Sequence, residues 1–443
     1  MFGLFNSPEK KMRTSAGHWL ETAEKVYHHR RDQLAPADLA ALEKGMAELR
    51  FKLKERAEAA KLKLSIEALE PVLRRTGGKI YPKGELAEWV EFFLVAGIVL
   101  LGLRTYFVTN FQIPTNSMWP SYHGMKAQIY SSPREVPGPL YRAIRFLTLG
   151  AQHREAIAPQ AGEIAADFFY EPRHQLFWLA YREKHARKWL VIPSTVHEFT
   201  FYVADTPVNI DVPADFDSEF RDMVVDVFAH GDKALFNRQL LSQARAGHAE
   251  NVVVQIIPGE NDALRTATRI GLGKTVATGE PILDFDILAG DMLFVDRFSY
   301  HFFRPKPGDG FVFRTGNIPE IGEDQYFIKR LAGVPGDTLE IRQPVLYRNG
   351  RPITGSAAYE KEFHQTGNYP GYRNQSPDDI EPMTYLARPD DTVTVPPGNY
   401  FALGDNSANS RDSRYWGFVP ASEVVGRPLF VYYPFTRRWG PAH

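Results

Sequence analysis

A serine and a lysine in two separated stretches of this sequence could act as a nucleophile and its general base. Ser117 lies in "IPTNSMWPS", and Lys329 lies in "FIKRLAGVPGD", whose alternating pattern is typical of a strand. Alternation places Lys329 on one face with Phe327 and Leu331. Burial on such a face disfavours the ammonium and lowers its pKa, so a neutral amine could accept a proton from a serine hydroxyl.

Each of these residues also has an ordinary structural interpretation when it is taken alone. Ser117 could be a loop serine after a proline turn, and Lys329 could be a surface lysine whose side chain extends to water. The sequence contains no cysteine, which excludes thiolate nucleophiles, disulfides and sulfur-ligated zinc. None of the six histidines between residues 124 and 284 has metal-ligand spacing, so we expect no metal or cofactor. A net charge of -1 gives no electrostatic case for nucleic acid as a partner.

The apolar run before Ser117 predicts a transmembrane helix over residues 85–108. From Trp89 to Val108 a helix would be about 30 Å long, and Tyr106 and Arg104 suit a membrane interface. A buried core helix is the alternative, because the unbroken apolar part is short. Four basic residues precede the run, which places the N-terminus in the cytoplasm by the positive-inside rule. These basic residues are Arg74, Arg75, Lys79 and Lys83.

The N-terminal segment, residues 1–84, is predicted to be a cytoplasmic helical hairpin. The stretch "DLAALEKGMAELRFKLKERAEAAKLKL" carries apolar residues at helical spacing, and an earlier helix around Trp19 and Tyr27 could pair with it. The apolar stripe consists of Leu39, Leu42, Met46, Leu49 and Leu53. An interaction module is the alternative interpretation of this segment.

A polar loop in "GDNSANSRDSRYWGFVP" follows a predicted strand and precedes another apolar stretch. Gly404 permits a close backbone approach there, which favours a hydrogen-bonded loop held against a core. An asparagine-rich surface turn is the alternative. With the apolar run, "IPTNSMWPS", "GDMLFVDRFSY" and "FIKRLAGVPGD", this loop closely resembles the bacterial type I signal peptidase, or leader peptidase, family. The similarity covers about residues 89–123 and 285–434.

The resemblance implies a role for each matching residue of the site. Ser117 and Lys329 match the nucleophile and the general base of a Ser-Lys dyad, and Thr115 matches a hydroxyl of the oxyanion hole. Ser410 matches the serine that orients the lysine amine. Gly404 lies near the site, where Asp412 and Arg414 match a structural ion pair. Pockets that select small P1 and P3 side chains, the Ala-x-Ala preference, would be lined by Phe111, Ile113, Pro114, Met118 and Ile328.

The implied fold is a mainly β catalytic domain of the signal peptidase type, preceded by a helical N-terminal region and one transmembrane helix. That domain would comprise residues 109–123 and 285–443, with an accessory β-region at 343–398 that contains a hairpin through Asn349-Gly350. Residues 124–284 depart from the family pattern. Strand-like and helix-like patterns there predict a folded insertion that affects substrate choice and does not contribute to the chemistry.

The resemblance implies a membrane-anchored serine endopeptidase that removes N-terminal signal peptides from exported pre-proteins. It would be a single-pass protein of the bacterial cytoplasmic membrane with its catalytic domain on the periplasmic or outer side. Its expected partners are signal peptides and the lipid bilayer, and the secretion translocon is a candidate partner. Two alternatives are a processing peptidase dedicated to one secretion or conjugation system and a non-catalytic membrane scaffold.

Overall fold

Helices form the N-terminal part of the chain, and strands form most of the remainder. The structure is a computed structural model that describes residues 8–82, 85–172, 175–188, 192–246, 249–256, 264–376, 379 and 381–442. The chain divides into two compact units, residues 1–102 and 103–443. The helices, in chain order, are α1 Pro8–Arg30, α2 Pro36–Lys54, α3 Ala59–Thr76, α4 Glu85–Tyr106, α5 Pro139–Leu149, α6 Asp217–Ala229, α7 Lys233–Arg245, α8 Ala357–His364 and α9 Ser413–Trp416.

The first three helices pack against one another around a single apolar core. The predicted two-helix hairpin is therefore corrected to three helices, because the chain turns after Lys54, where Arg56 adopts φ +55°. A continuous helix would leave the second apolar stripe, on α3, without a partner. Both stripes are buried in this core through Leu42, Met46, Leu49, Leu62, Leu69 and Leu73. Residues 1–7 and Lys83, which belong to the predicted N-terminal domain and its basic flank, lie outside the described residues.

Helix α4 carries the apolar run that the sequence assigns to a membrane span. Its segment from Glu88 to Tyr106 is long and apolar enough to cross a membrane, with a mean hydropathy of 1.6, and none of that window is buried. A helix that spans a bilayer needs this length and an apolar surface on all sides. The helix therefore remains a candidate span.

The second unit is built mainly from antiparallel strands. In chain order these are β1 Val108–Gln112, β2 Lys126–Ile129, β3 Gln152–Ile157, β4 Gly162–Glu171, β5 Leu176–Leu179, β6 Arg182–Lys188, β7 Ile192–Val203, β8 Thr206–Pro213, β9 Ala249–Gln255, β10 Leu264–Val276, β11 Pro281–Leu288, β12 Met292–Asp296, β13 Gly310–Arg314, β14 Tyr326–Gly333, β15 Thr338–Arg342, β16 Val345–Arg348, β17 Arg351–Pro352, β18 Thr392–Thr394, β19 Asn399–Leu403, β20 Val419–Pro420, β21 Val424–Tyr433 and β22 Gly440–Pro441.

An eight-stranded sheet joins the two regions that carry Ser117 and Lys329. Its strand order is β1-β12-β21-β13-β14-β19-β20, and β22 pairs with β21. Strand β1 leads into the turn that contains Ser117, and β14 carries Lys329 directly opposite Phe311 of β13. Apolar side chains cover this sheet in two buried clusters. The unit is therefore mainly β around the candidate site, as the sequence predicts.

Residues between the two halves of this sheet form folded structure of their own. A seven-stranded sheet has the order β6-β7-β4-β10-β9, with β5 on β4 and β8 on β7, and a three-stranded sheet has the order β2-β11-β3. Helix α6 and the β7–β8 hairpin agree with the helix-like and strand-like patterns that the sequence shows within residues 124–284. Strand β11 pairs with β2 through Leu288, so this region extends a few residues beyond 284.

A four-stranded sheet of order β17-β16-β15-β18 forms the accessory region, together with helix α8. Its β16–β17 hairpin turns at Asn349 and Gly350, whose φ angles are +53° and +75°. Positive φ at both central residues is the requirement of a type I′ turn, and it explains the Asn-Gly pair. The sheet begins at Thr338, which lies slightly before the predicted boundary.

Candidate active site

Ser117 lies on a one-turn 3-10 helix, Asn116–Met118, that follows strand β1. The Met118 side chain is fully buried beneath this turn, whereas Ser117 itself is partly exposed. Backbone from two neighbouring segments lies very close to the turn. A Cβ on Gly290 would lie 1.9 Å from the Ile113 carbonyl oxygen, and one on Gly124 would lie 2.3 Å from the Thr115 carbonyl carbon. Glycine at these two positions therefore permits the close packing that fixes the serine turn.

Lys329 approaches this serine from the middle of strand β14. Its side chain is only 4% exposed, and its Nζ atom donates a hydrogen bond to Oγ of Ser117 at 2.6 Å. The Nζ atom also lies 5.8 Å from the ring centroid of Phe327, its neighbour on the same face of the strand. The two residues that the sequence nominates as nucleophile and base are thus in direct contact, although 212 positions separate them.

Burial lowers the pKa of the Lys329 ammonium from 10.5 to about 8. Loss of hydration is the largest cause, because water no longer stabilises the charged form. The carboxylate of Asp412 raises this pKa, the guanidinium of Arg414 lowers it, and Asp405 raises it. The amine is therefore neutral in a large fraction of molecules near pH 8, which suits a general base.

The loop from Gly404 to Arg414 packs behind the lysine and is held by a buried ion pair. Arg414 donates from Nε to Oδ1 of Asp412 at 2.8 Å and from Nη2 to Oδ2 at 2.9 Å, and both side chains are 0% exposed. The same guanidinium donates to the hydroxyl and the carbonyl oxygen of Ser407. Asp412 in turn accepts from the backbone N–H of Gly404 at 2.9 Å. These contacts fix the loop as one unit.

This loop also contacts the serine turn directly. The backbone N–H of Asn406 donates to the carbonyl oxygen of Ser117 at 3.1 Å. The side-chain amide of Asn406 donates to the backbone carbonyl oxygen of Asn116, also at 3.1 Å. A Cβ on Gly404 would lie 2.5 Å from the Ser117 carbonyl oxygen and 2.1 Å from Oγ of Ser410. The close backbone approach that the sequence suggests for Gly404 is therefore an approach to the serine itself.

Ser410 lies in this loop, close to the serine turn, and is 4% exposed. Its hydroxyl has no hydrogen-bond partner among the residues that the structure describes, so the predicted hydrogen bond to Lys329 is not formed. The backbone carbonyl oxygen of Ser410 accepts from Arg414 at 3.4 Å. The structure thus places the Ser410 hydroxyl near Gly404 and the Ser117 backbone, and its role in orienting the lysine amine stays a prediction.

Thr115 is exposed at the start of the serine turn and adopts an extended backbone conformation. Within the described residues, its side chain makes no hydrogen bond that caps the turn. The hydroxyl is therefore not used to cap this turn, and its part in an oxyanion hole stays a prediction.

The five residues predicted to line substrate pockets differ in exposure. Ile113 and Met118 are 3% and 0% exposed and belong to a buried cluster with Leu293 and Val312. By contrast, Phe111, Pro114 and Ile328 are partly exposed, and Phe111 and Ile328 pack against the same cluster. Partial exposure leaves these three accessible to a substrate, whereas the two buried residues support them from below. Substrate contact by any of the five stays a prediction.

A second buried ion pair lies next to the dyad and was not identified from the sequence. Arg330 and Asp405 are 1% and 0% exposed, and Arg330 donates from Nε to Oδ1 of Asp405 at 2.7 Å. The hydroxyl of Ser121 accepts from Arg330 at 2.9 Å and donates to Asp405. This network connects strand β14 to the 404–414 loop and to Ser121, four residues after Ser117. Its only sequence signal is a charged residue next to Lys329 in an otherwise apolar strand.

Comparison with known proteins relates this site to one family. The profile of the family described as signal peptidase, peptidase S26, matches residues 283–433, which include Lys329 and the 404–414 loop. A probable signal peptidase I-1 of Synechocystis sp. is 36% identical over 154 residues, covering 34% of this chain and 66% of that protein. Signal peptidase I of Bacillus caldolyticus is 30% identical over 156 residues, covering 34% of this chain and 73% of that protein.

A solved structure of a signal peptidase I from Enterococcus faecalis is 31% identical in sequence to this chain. The match covers 28% of this chain and 97% of the solved chain, with a TM-score of 0.20. This chain spans 60–66% of the length of the first curated relatives that it matches. The family profile together with the identity to the Bacillus caldolyticus protein shows that this chain belongs to the signal peptidase, peptidase S26, family.

Proposed function

We propose that this protein is a serine endopeptidase that removes N-terminal signal peptides from exported pre-proteins. The observation that carries the proposal is the 2.6 Å contact between Oγ of the partly exposed Ser117 and Nζ of the buried Lys329. A serine hydroxyl is a weak nucleophile until an adjacent base accepts its proton, and a desolvated lysine is one of the few side chains that can act as that base.

In the proposed reaction, Oγ of Ser117 attacks the scissile carbonyl carbon while the neutral amine of Lys329 accepts the hydroxyl proton. The tetrahedral intermediate then collapses, the C–N bond breaks, and the Lys329 ammonium returns the proton to the leaving amine. A water molecule attacks the resulting acyl-enzyme ester, and Lys329 accepts its proton and returns it to Oγ. The Thr115 hydroxyl and the backbone N–H of Ser117 would stabilise the oxyanion in both steps.

The surroundings of Lys329 favour this role because burial outweighs the neighbouring charges. Asp412 and Arg414 form one ion pair, and Asp405 pairs with Arg330. The carboxylates of Asp412 and Asp405 raise the pKa of Lys329 and the Arg414 guanidinium lowers it, but desolvation is the largest influence, and it favours the neutral amine.

Helix α4 is proposed to anchor the enzyme in the bacterial cytoplasmic membrane, with the N-terminus in the cytoplasm and the catalytic domain on the outer side. The last residue of the helix, Tyr106, precedes Ser117 by 11 residues. Even a fully extended chain of that length reaches only about 36–40 Å. The nucleophile would therefore lie near the bilayer that holds the apolar part of a signal peptide, and near the secretion translocon.

Cleavage of a pre-protein by the purified full-length chain in detergent micelles tests the proposal. The substrate carries an Ala-x-Ala cleavage site, and mass spectrometry of the products identifies the broken bond. We expect one cut after the second alanine, no cut by Ser117→Ala, and wild-type cleavage by Ser242→Ala, which changes an exposed helical serine of α7. An intact substrate with the wild-type chain, or equal cleavage by Ser117→Ala, would refute the proposal.

A further inference from the structure

Helix α6 belongs to the region that lies outside the family match, yet one of its side chains reaches the serine turn. Glu219 accepts a hydrogen bond from Nδ2 of Asn116 at 3.0 Å through one carboxylate oxygen. Its other oxygen accepts from the backbone N–H of Ala127 at 3.3 Å, on strand β2. Asn116 is the residue immediately before Ser117, so the carboxylate links α6 to the nucleophile-bearing turn through a single side chain.

Asn116 is the centre of a set of hydrogen bonds that determines the path of this turn. Its side-chain oxygen accepts from the backbone N–H of Gly124 at 3.0 Å, and Nδ2 also donates to the carbonyl oxygen of Met125 at 3.3 Å. The backbone carbonyl oxygen of Asn116 accepts from the side-chain amide of Asn406 at 3.1 Å. A primary amide has two N–H donors, and these two are directed to Met125 and Glu219. Loss of the carboxylate would leave one of them without its acceptor.

We infer that Glu219 is a positioning residue for the serine nucleophile, acting through Asn116. The serine turn is then held from two sides: the 404–414 loop contacts its backbone, and α6 fixes the side chain of Asn116. The inference rests on the proposed function for its catalytic consequence. It also differs from the prediction that residues 124–284 contribute nothing to the chemistry, because that region would help to align the nucleophile.

Alignment matters here because the base is fixed independently of the serine. Lys329 is held on strand β14 by buried packing, whereas Ser117 lies on a short 3-10 turn with partial exposure. A small shift of that turn lengthens the 2.6 Å contact between Oγ and Nζ. Misplacement of a reacting group by about 1 Å can lower the rate by about 100-fold, so partial loosening predicts an effect of about tenfold.

The environment of Glu219 agrees with a structural role for its carboxylate. Burial raises the pKa of this carboxyl, whereas the hydrogen bond from Ala127, the nearby Lys126 and the hydrogen bond from Asn116 oppose the rise. Asp222, on the same helix, adds to the rise. A partly desolvated carboxylate is costly unless hydrogen bonds satisfy it, and these two donors provide that compensation.

Kinetic measurements on the full-length chain test the inference, with rates normalised to the folded fraction from limited proteolysis. We expect Glu219→Ala to lower kcat about tenfold while KM changes less than about twofold, because the substrate pockets are untouched. Glu219→Gln should recover part of the loss, because its oxygen can still accept from Asn116, whereas its N–H2 group faces the backbone N–H donor of Ala127. In an Asn116→Ala background, Glu219→Ala should add less than about twofold. Asp222→Ala is the matched control, since its side chain is exposed and pairs with Lys233.

A wild-type kcat for Glu219→Ala, or an equal loss for Asp222→Ala, would overturn the inference. Hydrogen–deuterium exchange of the segment 114–127 provides a readout that needs no activity. It should be faster in Glu219→Ala than in the wild type and unchanged in Asp222→Ala. If the wild-type chain cleaves no pre-protein, the proposed function fails, and the exchange measurement alone decides whether Glu219 holds the serine turn. Equal exchange in the wild type and in Glu219→Ala overturns the inference about Glu219.

Discussion

Replacing Lys329 with methionine should stabilise the folded chain near pH 7 while it abolishes cleavage. The side chain is 4% exposed, and burial lowers the pKa of its ammonium from 10.5 to about 8. One pKa unit corresponds to about 1.4 kcal/mol, so holding this ammonium in the folded state costs about 3 kcal/mol at pH 7. Methionine has a similar length and no charge, but it loses the hydrogen bond to Ser117, worth about 1 kcal/mol. We therefore expect a net gain of about 2 kcal/mol.

The gain should depend on pH in a defined direction. Between pH 8 and 10.5 the unfolded chain retains the Lys329 proton that the folded chain has released, so the wild type becomes more stable as the pH rises. Below pH 8 both states carry the proton, and the cost of burial stays constant. The advantage of Lys329→Met should therefore be largest at and below pH 7 and should be absent at about pH 10.

Urea unfolding of the full-length chain in mild detergent measures the difference in stability between Lys329→Met and the wild type. Tryptophan fluorescence serves as the signal, because Trp416 is buried in the core beside the site. Lys306→Met, at an exposed position, is the control and should change stability little at any pH. Equal m-values are required before the free energies are compared. If Lys329→Met is no more stable than the wild type at pH 7, or if its gain is the same at pH 7 and pH 10, the reasoning about a desolvated lysine is wrong.

Four further predictions follow from the same contacts. The logarithm of kcat/KM should rise with unit slope and level off at about pH 8, as the neutral amine of Lys329 forms; a flat profile from pH 6 to 9 would exclude it as the base. Gly404→Ala should lower kcat about 100-fold with an unchanged circular dichroism spectrum, because its Cβ would lie 2.5 Å from the Ser117 carbonyl oxygen. Asp405→Asn should lower the free energy of unfolding by about 3–5 kcal/mol, since it leaves the buried Arg330 guanidinium without its counter-charge; a loss below about 1 kcal/mol would contradict this. A reporter fused after residue 84 should be cytoplasmic and one fused after residue 123 should be outside, and finding both on one side would exclude the membrane span.

Much of the site was predictable because its residues lie in short motifs that determine the local backbone conformation. Alternation in "FIKRLAGVPGD" predicted the face that carries Lys329, and β14 has that arrangement. Gly404 and the Asn349-Gly350 pair were predictable for the same reason, because glycine reports a local need for space or for positive φ. The mainly β fold followed from the family resemblance.

Long-range polar contacts were not predictable in this way. Glu219 and Asn116 are 103 positions apart, and nothing in a surface-like helix pattern distinguishes this carboxylate from its exposed neighbours. The Arg330–Asp405 pair could not be predicted from the sequence either, since an arginine in a strand usually extends to solvent and only the folded sheet brings its partner near. The third N-terminal helix was missed because helical periodicity continues through the turn at Arg56.

The most direct test of the Ser-Lys dyad is a comparison of pre-protein cleavage by Ser117→Ala, Lys329→Ala and the double variant of the full-length chain. Because the two side chains share one hydrogen bond and one proton, each single variant should lose activity to a similar degree, and the double variant should be no worse than either. Lys306→Ala should cleave at the wild-type rate. Retention of more than a few per cent of activity by Lys329→Ala, or losses that multiply in the double variant, would contradict the account.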